Sequence, residues 1–297
     1  MIEVKNVSKS FDGLKALDKL NINVSKGSIY GLVGPNGAGK STIIRHITGI
    51  FKQDEGEVLV NGQPVFENPE VKSGIAYISD DVFFYNQATI HDMMKFYKGV
   101  CPNFSVERYE KLRGAFELKE NAKMRSLSKG MQKQAAFWLT VSMCPEVLVL
   151  DEPVDGLDPV MRRQIWGILM SDVMENGTTV LVSSHNLREL EDVCDHVGIM
   201  NRGRLLLERS LSDMQENIVK VHFALSEEKQ LPEGLDILHT STSGRLKTII
   251  VRGKAEDITN KIATVQPLFM DLIPLSLEEI FIYELGGEHY EVKDIIL

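Results

Sequence analysis

The sequence predicts an α/β protein whose main part contains a largely parallel β-sheet, followed by a smaller α+β part. Short apolar segments of strand length recur along about the first two-thirds of the chain, and amphipathic helical patterns separate several of them. Near residue 210 this alternation stops, and the strand and helix patterns become weaker. We therefore expect one domain over residues 1–209 and an accessory, regulatory domain over residues 210–297.

The first predicted domain begins with residues 1–9, where apolar and polar residues alternate as in an edge or half-buried strand. The apolar segments that follow are 29–33, 58–60, 75–78, 147–150, 180–182 and 197–200. Helical patterns cover residues 41–50, 128–143 and 160–174. Residues 201–204 predict a hairpin turn that ends the series.

The second predicted domain has strand patterns at 218–225 and 248–251 and helical patterns at 256–265 and 277–285. The last residues, 288–297, fit a frayed tail and a docked strand equally well. The sequence contains no internal repeat, and no low-complexity linker separates the two predicted domains.

Composition and charge exclude several classes of function. The formal net charge of −9 argues against a nucleic-acid binder with a basic face and against adhesion to anionic lipid by charge. Three widely spaced cysteines are typical of buried thiols in a reducing compartment. The N-terminus lacks a signal-peptide pattern, and no apolar segment approaches the ~20 residues of a membrane helix. We expect a soluble, cytosolic chain.

A glycine-rich segment lies between the apolar segment 29–33 and the first helical pattern. Residues 34–41 match G-x-x-x-x-G-K-[ST], and this strand-to-helix context is the one the motif requires. Glycines let backbone amides surround phosphates, and the helix N-terminus adds partial positive charge. A plain connecting turn is the alternative, which the complete pattern disfavours. The predicted nucleotide-binding residues here are Gly34, Asn36, Gly37, Ala38, Gly39, Lys40, Ser41 and Thr42.

The side chains of this segment have separate predicted roles. Lys40 reaches the terminal phosphates, the Ser41 hydroxyl binds Mg²⁺, and Thr42 adds a hydrogen bond to phosphate. Two adjacent carboxylates, Asp151 and Glu152, end the apolar segment 147–150. Because ligands bind at the carboxyl ends of parallel strands, we expect Asp151 near Mg²⁺ and Glu152 near an attacking water. A helix-capping turn is the alternative for this acidic pair.

Further motifs resemble those of the ABC ATPases, in the order found in that family. Residues 127–132, Leu-Ser-Lys-Gly-Met-Gln, resemble the signature sequence, normally LSGGQ, and residues 156–159 resemble the D-loop. His185 aligns with the switch histidine, and Phe11 with the aromatic residue that stacks on adenine. The resemblance covers about residues 1–207.

The resemblance implies a P-loop NTPase fold of the ABC ATPase type with a helical signature subdomain, and it implies hydrolysis of ATP with Mg²⁺. Ser128 and Gly130 would cap the γ-phosphate of ATP bound to the other subunit, with Asp158 of the D-loop also near nucleotide. His185 would contact the γ-phosphate beside Glu152. The implied assembly is a homodimer, or a heterodimer with a second ABC ATPase, beneath a transmembrane permease at the cytoplasmic face of the cell membrane.

Some positions depart from the common family pattern. Lys129 and Met131 replace glycine and glutamine of the signature, and Asp80 aligns with the Q-loop glutamine. Since aspartate can approach Mg²⁺ or its water, the predicted metal ligands are Ser41, Asp80 and Asp151. The next segment, 82–94, has three consecutive aromatic residues, which predict a partner-facing surface or plain core equally well.

The variant signature and residues 274–281 resemble bacterial exporter-type ATPases, with YtrB-like and bacitracin-exporter-like subunits as the nearest patterns. An importer ATPase is the closest alternative. A soluble ABC ATPase that acts on DNA is disfavoured because no long coiled coil fits between Lys40 and Ser128, and one that acts on ribosomes carries two ATPase units. A kinase or GTPase switch does not require a signature motif.

Overall fold

The computed structural model describes residues 1–85, 87–211, 217–225, 231–273, 275–276 and 278–280. The chain divides into two compact units: Met1–His185 with His196–Glu208, and Asn186–Asp195 with Arg209–Leu297.

The strands of the first unit are β1 (Ile2–Phe11), β2 (Leu14–Val24), β3 (Ile29–Val33), β4 (Glu55–Val60), β5 (Gln63–Pro64), β6 (Ile75–Ile78), β7 (Val147–Asp151), β8 (Thr179–Ser184), β9 (His196–Asn201) and β10 (Arg204–Ser210). Its helices are α1 (Lys40–Ile47), α2 (Pro69–Ser73), α3 (Ile90–Val100), α4 (Val106–Phe116), α5 (Lys129–Val141) and α6 (Pro159–Asn176), with a 3₁₀ turn at Met124–Ser126.

A six-stranded sheet in the order β10-β9-β3-β8-β7-β6 lies at the centre of this unit. The pairs between β6, β7, β8, β3 and β9 are parallel, which confirms the predicted parallel sheet. Every residue of β3, β7 and β8 is buried. This burial explains why the sequence shows continuous apolar segments there and no alternation.

The hairpin predicted after β9 is present. Arg202 and Gly203 join β9 to its sheet neighbour β10, and their φ angles of 47° and 76° are those of a type I′ turn.

A second sheet, antiparallel and in the order β2-β1-β4-β5, contains two of the predicted strands. The strand predicted at 1–9 is β1, which is half-buried and lies between β2 and β4. The apolar segment 58–60 belongs to β4 in this sheet and not to the parallel one. One core cluster unites both sheets with α1 and contains Ile22, Ile43, Ile47, Val149 and Leu181. Burial of one face of α1 therefore fixes the loop that precedes it.

Helix α4 packs on a buried tryptophan of α5 and is joined to α6 by an ion pair. Trp138 of α5 stacks on Tyr109 of α4 with ring centroids 4.3 Å apart, and its Nε1 donates to the Tyr109 carbonyl at 2.8 Å. Arg108 of α4 forms an ion pair with Asp172 of α6. These contacts hold α5, the helix that begins within the signature motif, as a rigid element.

In its described residues, the second unit contains an antiparallel sheet with a helix packed on it. It contains β11 (Ile218–Ala224), β12 (Asp236–Ser243), β13 (Leu246–Arg252), helix α7 (Ala255–Ala263), β14 (Phe269–Ile273) and a 3₁₀ turn at Leu187–Glu189. The sheet order is β12-β13-β11-β14, and its core contains Val221, Phe223, Val251, Ile258 and Ile262.

The strands predicted at 218–225 and 248–251 and the helix predicted at 256–265 correspond to β11, β13 and α7. Residues 278–280 are helical, whereas the rest of the helix predicted at 277–285 and the segment 288–297 lie outside the described residues. Within the described ranges, none of the helices combines the length and apolar character that a membrane span requires.

Candidate functional site

The loop between β3 and α1 needs glycine for two different reasons. Gly37 and Gly39 have φ angles of 82° and 105°, where a Cβ atom is strained. A Cβ atom on Gly34 would lie 2.3 Å from the Met200 carbonyl oxygen, and one on Gly39 would lie 2.9 Å from the Ala16 carbonyl oxygen. The loop therefore lies against the neighbouring backbone with no room for side chains at these positions.

A cleft of ≈ 650 Å³ lies beside this loop, a size typical of small-molecule sites. Its lining includes most of the predicted nucleotide-binding residues of the loop, while Gly34 lies behind it and accepts a hydrogen bond from Lys40. The predicted residues in the lining are Phe11, Asn36, Gly37, Ala38, Gly39, Lys40, Ser41, Thr42, Asp80 and Glu152. The lining residues that sequence analysis missed are Leu14, Lys15, Ala16, Pro35, Arg202 and Gly203.

Phe11 lies at the rim of the cleft with 39% of its surface exposed. Its ring packs against Phe51 at 5.5 Å between centroids, and the Lys9 ammonium group lies 5.5 Å from the ring centroid. An exposed aromatic ring that is supported from one side has the geometry that stacking on a base requires.

Lys40 is only 6% exposed at the first position of α1. Its ammonium group donates to the Gly34 carbonyl at 2.5 Å and lies 3.5 Å from Glu152 Oε1. The Gly34 carbonyl and the Glu152 carboxylate thus hold the buried Lys40 ammonium group. Because this cation lies at the N-terminus of a helix, the position favours binding of an anion.

The Glu152 carboxylate lies between Lys40 and His185. Its Oε2 atom is 3.0 Å from His185 Nδ1, and the Glu152 amide donates to Ser183 Oγ at 3.2 Å. Glu152 has a φ angle of 48°, in the left-handed region that is rare outside glycine and frequent at functional sites. Two side chains predicted from distant parts of the sequence are therefore in direct contact.

Asp151 is 4% exposed and accepts a hydrogen bond from Ser183 Oγ at 2.5 Å. Burial, with a further contribution from the Asp151 charge, raises the pKa of nearby Tyr77 to about 12, so its hydroxyl stays protonated. The hydroxyl and carboxylate oxygens of Ser41, Asp80 and Asp151 are hard ligands that suit Mg²⁺. The described residues contain no group of three or more His, Cys, Asp or Glu side chains that could hold a metal ion. A Mg²⁺ ion bound mainly through phosphates and water would need none.

Ser128, Gly130 and Asp158 are not among the residues that line this cleft. Ser128 is the N-cap of α5 and accepts from the Met131 amide at 3.2 Å, while Asp158 is the N-cap of α6. A Cβ atom on Gly130 would lie 3.4 Å from Leu157 Cδ2, so the start of α5 packs against the segment before α6.

Asp80 follows β6 and lines the cleft, and its carboxylate accepts a hydrogen bond from Lys133 Nζ at 3.0 Å. Sequence analysis did not identify Lys133. Its one local signal is that this lysine lies two residues before residues 135–141 of α5, all of which are buried. Of the aromatic residues after Asp80, Phe84 is buried, as the core interpretation predicts, and its two aromatic neighbours are exposed.

Comparison with known proteins gives one consistent result. The family model for ABC transporters matches residues 17–155. The chain is 30% identical to the ABC transporter ATP-binding protein YtrB of Bacillus subtilis, over 97% of this chain and 99% of that protein. It is 28% identical to the bacitracin transport ATP-binding protein BcrA of Bacillus licheniformis, over 97% of this chain and 98% of that protein.

A solved structure of the ATP-binding subunit of an ABC transporter is also similar, with 27% identity and a TM-score of 0.67 over 72% of this chain and 92% of that one. These similarities confirm the predicted fold and the predicted family. The chain belongs to the ATP-binding subunits of ABC transporters, and it is an ATPase.

Proposed function

We propose that this chain powers an exporter by binding and hydrolysing ATP with Mg²⁺, as one half of a dimer beneath a separate permease at the cytoplasmic face of the membrane. The observation that carries the catalytic part is the Glu152 carboxylate, 3.5 Å from the phosphate-loop lysine and 3.0 Å from His185. Steady-state ATP hydrolysis by the parent and by a Glu152→Gln variant tests it.

In the proposed mechanism, a γ-phosphate in the cleft competes with Glu152 for the Lys40 ammonium group. Phosphate carries more charge than a carboxylate, so Lys40 turns to the nucleotide and the Glu152 carboxylate is released. Glu152 then accepts the proton of the attacking water as a general base. His185, already in contact with Glu152, keeps the carboxylate oriented and donates toward the phosphate.

Ser41, Asp151 and Asp80 are the proposed Mg²⁺ ligands. When bound, the metal supplies positive charge that neutralises the phosphates. Ser183 orients Asp151 through its 2.5 Å hydrogen bond, which is the kind of supporting contact that fixes metal ligands.

The remaining signature and D-loop residues support a dimer. Ser128 and Gly130 lie at the N-terminus of α5, which favours an anion, yet they do not line the cleft of their own chain. We assign them and Asp158 to the nucleotide of the second subunit. A relative named for bacitracin transport supports export, because a cell gains by removing an antibiotic. Residues 210–297 are proposed to regulate the ATPase or stabilise the dimer.

The proposed permease contact is an aromatic patch formed by Phe83, Tyr85 and Phe96, which are 85%, 58% and 45% exposed. The Phe83 and Tyr85 ring centroids are 6.5 Å apart, and those of Tyr85 and Phe96 are 5.8 Å apart. Connected exposed aromatic side chains are typical of protein-binding surfaces.

We expect the double variant Phe83→Asp, Tyr85→Asp to lose membrane recruitment. Burial of an aromatic side chain stabilises a contact by ~1.5–3 kcal/mol, so the membrane-bound fraction should fall about tenfold or more. The measurement is fractionation of cells that co-express the chain with its permease. Met174→Asp, on an 83% exposed residue of α6, is the matched control. Equal membrane binding of the double variant and the control would contradict the assignment.

Asp80→Asn tests the proposed metal ligand. We expect hydrolysis to stay within about tenfold of the parent, a barrier change of ~1.4 kcal/mol, because an amide oxygen can still approach the metal. Loss of the negative charge should move the Mg²⁺ midpoint to higher concentration. Parallel Mg²⁺ titrations of ATPase activity measure both quantities. An unchanged midpoint would show that Asp80 does not act near the metal.

A further inference from the structure

Lys133 is an almost buried cation at the edge of the nucleotide cleft, with only 11% of its side chain exposed. Its Nζ atom donates to Asp80 Oδ1 at 3.0 Å, to the Glu152 carbonyl at 2.9 Å and to the Asp155 carbonyl at 3.3 Å. A lysine ammonium group has three donors, and here all three have acceptors. Glu152 and Asp155 belong to one short turn, whereas Asp80 is far from them in the sequence.

Two of these contacts hold the main chain around the proposed general base. Glu152 has a left-handed φ of 48°, a conformation that costs free energy and persists only where surrounding contacts enforce it. The Lys133 hydrogen bonds to the Glu152 and Asp155 carbonyls act on both ends of this short turn. Because α5 is anchored through Trp138, Lys133 acts from a rigid support.

The third contact concerns charge. Asp80 lines the cleft where the triphosphate is expected, so an unpaired carboxylate would repel it. The Lys133 ammonium group, 3.0 Å from Asp80 Oδ1, offsets that charge. The pair presents almost no net charge to the nucleotide, although neither residue alone is neutral.

We propose that Lys133 is a positioning residue for ATP hydrolysis with two roles: it holds the main chain of Glu152, and it neutralises Asp80 at the nucleotide cleft. The first role rests on the proposed function of Glu152 as general base. The second needs only that ATP binds in the cleft.

The charge role is measured by ATP binding in excess EDTA, where neither metal nor hydrolysis contributes. The proteins are the parent, Lys133→Gln, Asp80→Asn and the double variant. Lys133→Gln leaves Asp80 unpaired and should weaken ATP binding ~3–10-fold, whereas Asp80→Asn leaves an unpaired cation and should strengthen it ~3–10-fold. The double variant should return to within about twofold of the parent, because the two opposite changes in charge cancel. Both single effects should shrink at high salt.

The positioning role is measured by kcat at saturating Mg²⁺ and ATP. Lys133→Gln should lower kcat about tenfold or more, and the double variant should stay equally low, because neutralising Asp80 does not restore the hold on Glu152. Recovery of binding without recovery of kcat separates the two roles. Lys111→Met, an exposed lysine of α4, is the control and should match the parent in both assays.

Lys133→Arg covers the case in which Lys133→Gln does not fold. It keeps the cation, so ATP binding in EDTA should stay within about twofold of the parent, while its planar group cannot reproduce the three-way contact and kcat should fall. Single variants that both bind ATP in EDTA within about twofold of the parent would overturn the charge role, and a kcat equal to the parent in both Lys133 variants would overturn positioning. If the parent's hydrolysis does not depend on Glu152, the proposed function fails, while ATP binding in EDTA still decides the charge role of Lys133 and Asp80.

Discussion

Replacing Glu152 by glutamine is expected to lower ATP turnover by at least a hundredfold, since general-base catalysis typically contributes ~10²–10⁴-fold. Glutamine keeps the shape of the side chain but cannot take a proton from water. ATP affinity should stay the same or rise slightly, because the Lys40 ammonium group, 3.5 Å from Glu152 Oε1, loses the carboxylate that competes with phosphate. With binding intact and hydrolysis blocked, ATP should hold two chains together.

The measurements are steady-state phosphate release, ATP affinity and the fraction of dimer by size-exclusion chromatography with ATP and Mg²⁺. Glu107→Gln, in the exposed first turn of α4, is the matched control and should behave like the parent. If the Glu152 variant hydrolyses ATP at the parental rate, Glu152 is not the base. A low rate without a stable dimer would count against the proposed assembly.

Replacing Lys40 by methionine is expected to weaken ATP binding by ~10²–10⁴-fold. The Lys40 side chain is only 6% exposed, and a hydrogen bond to a charged group contributes ~1.5–3 kcal/mol, so loss of two phosphate contacts accounts for that range. Methionine keeps most of the aliphatic stem, so the helix face that packs in the core is little changed.

The same substitution has a second consequence. The Gly34 carbonyl loses its 2.5 Å donor and Glu152 loses a cationic neighbour, so the free energy of unfolding should fall by ~1–3 kcal/mol. Affinity is therefore compared by titration calorimetry at a temperature where circular dichroism shows the folded state. Lys111→Met is the control for general loss of a lysine charge. An affinity within threefold of the parent would exclude Lys40 as a phosphate ligand.

Local patterns in the sequence were sufficient for the parallel sheet and the phosphate loop. Strands buried on both faces are continuous apolar segments, as in β3 and β7, and their identity does not depend on which strand lies beside them. The loop before α1 needs glycine at left-handed positions, so its chemistry is visible in one short segment. The acidic residues at the end of β7 could likewise be predicted from one short segment of the sequence.

Elements stabilised by pairing were missed for a physical reason. β12 is almost wholly exposed and polar, and it is a strand because its backbone pairs with β13. In β2, buried and exposed residues alternate regularly only over residues 20–24, and the strand pairs with β1 through several register shifts. A propensity read along one segment has no information about a partner strand that supplies these hydrogen bonds.

The sequence by itself determined the family, the nucleotide loop and the candidate base, because each depends on a short motif whose chemistry is set by residue type. Only the tertiary structure decided which side chains contact one another. The 3.0 Å contact between Glu152 and His185 and the Lys133–Asp80 ion pair join segments that are distant along the chain. Parallel strands bring their carboxyl ends to one edge of the sheet, and the packed helix α5 brings Lys133 to that same edge, a contact that its local sequence pattern does not predict.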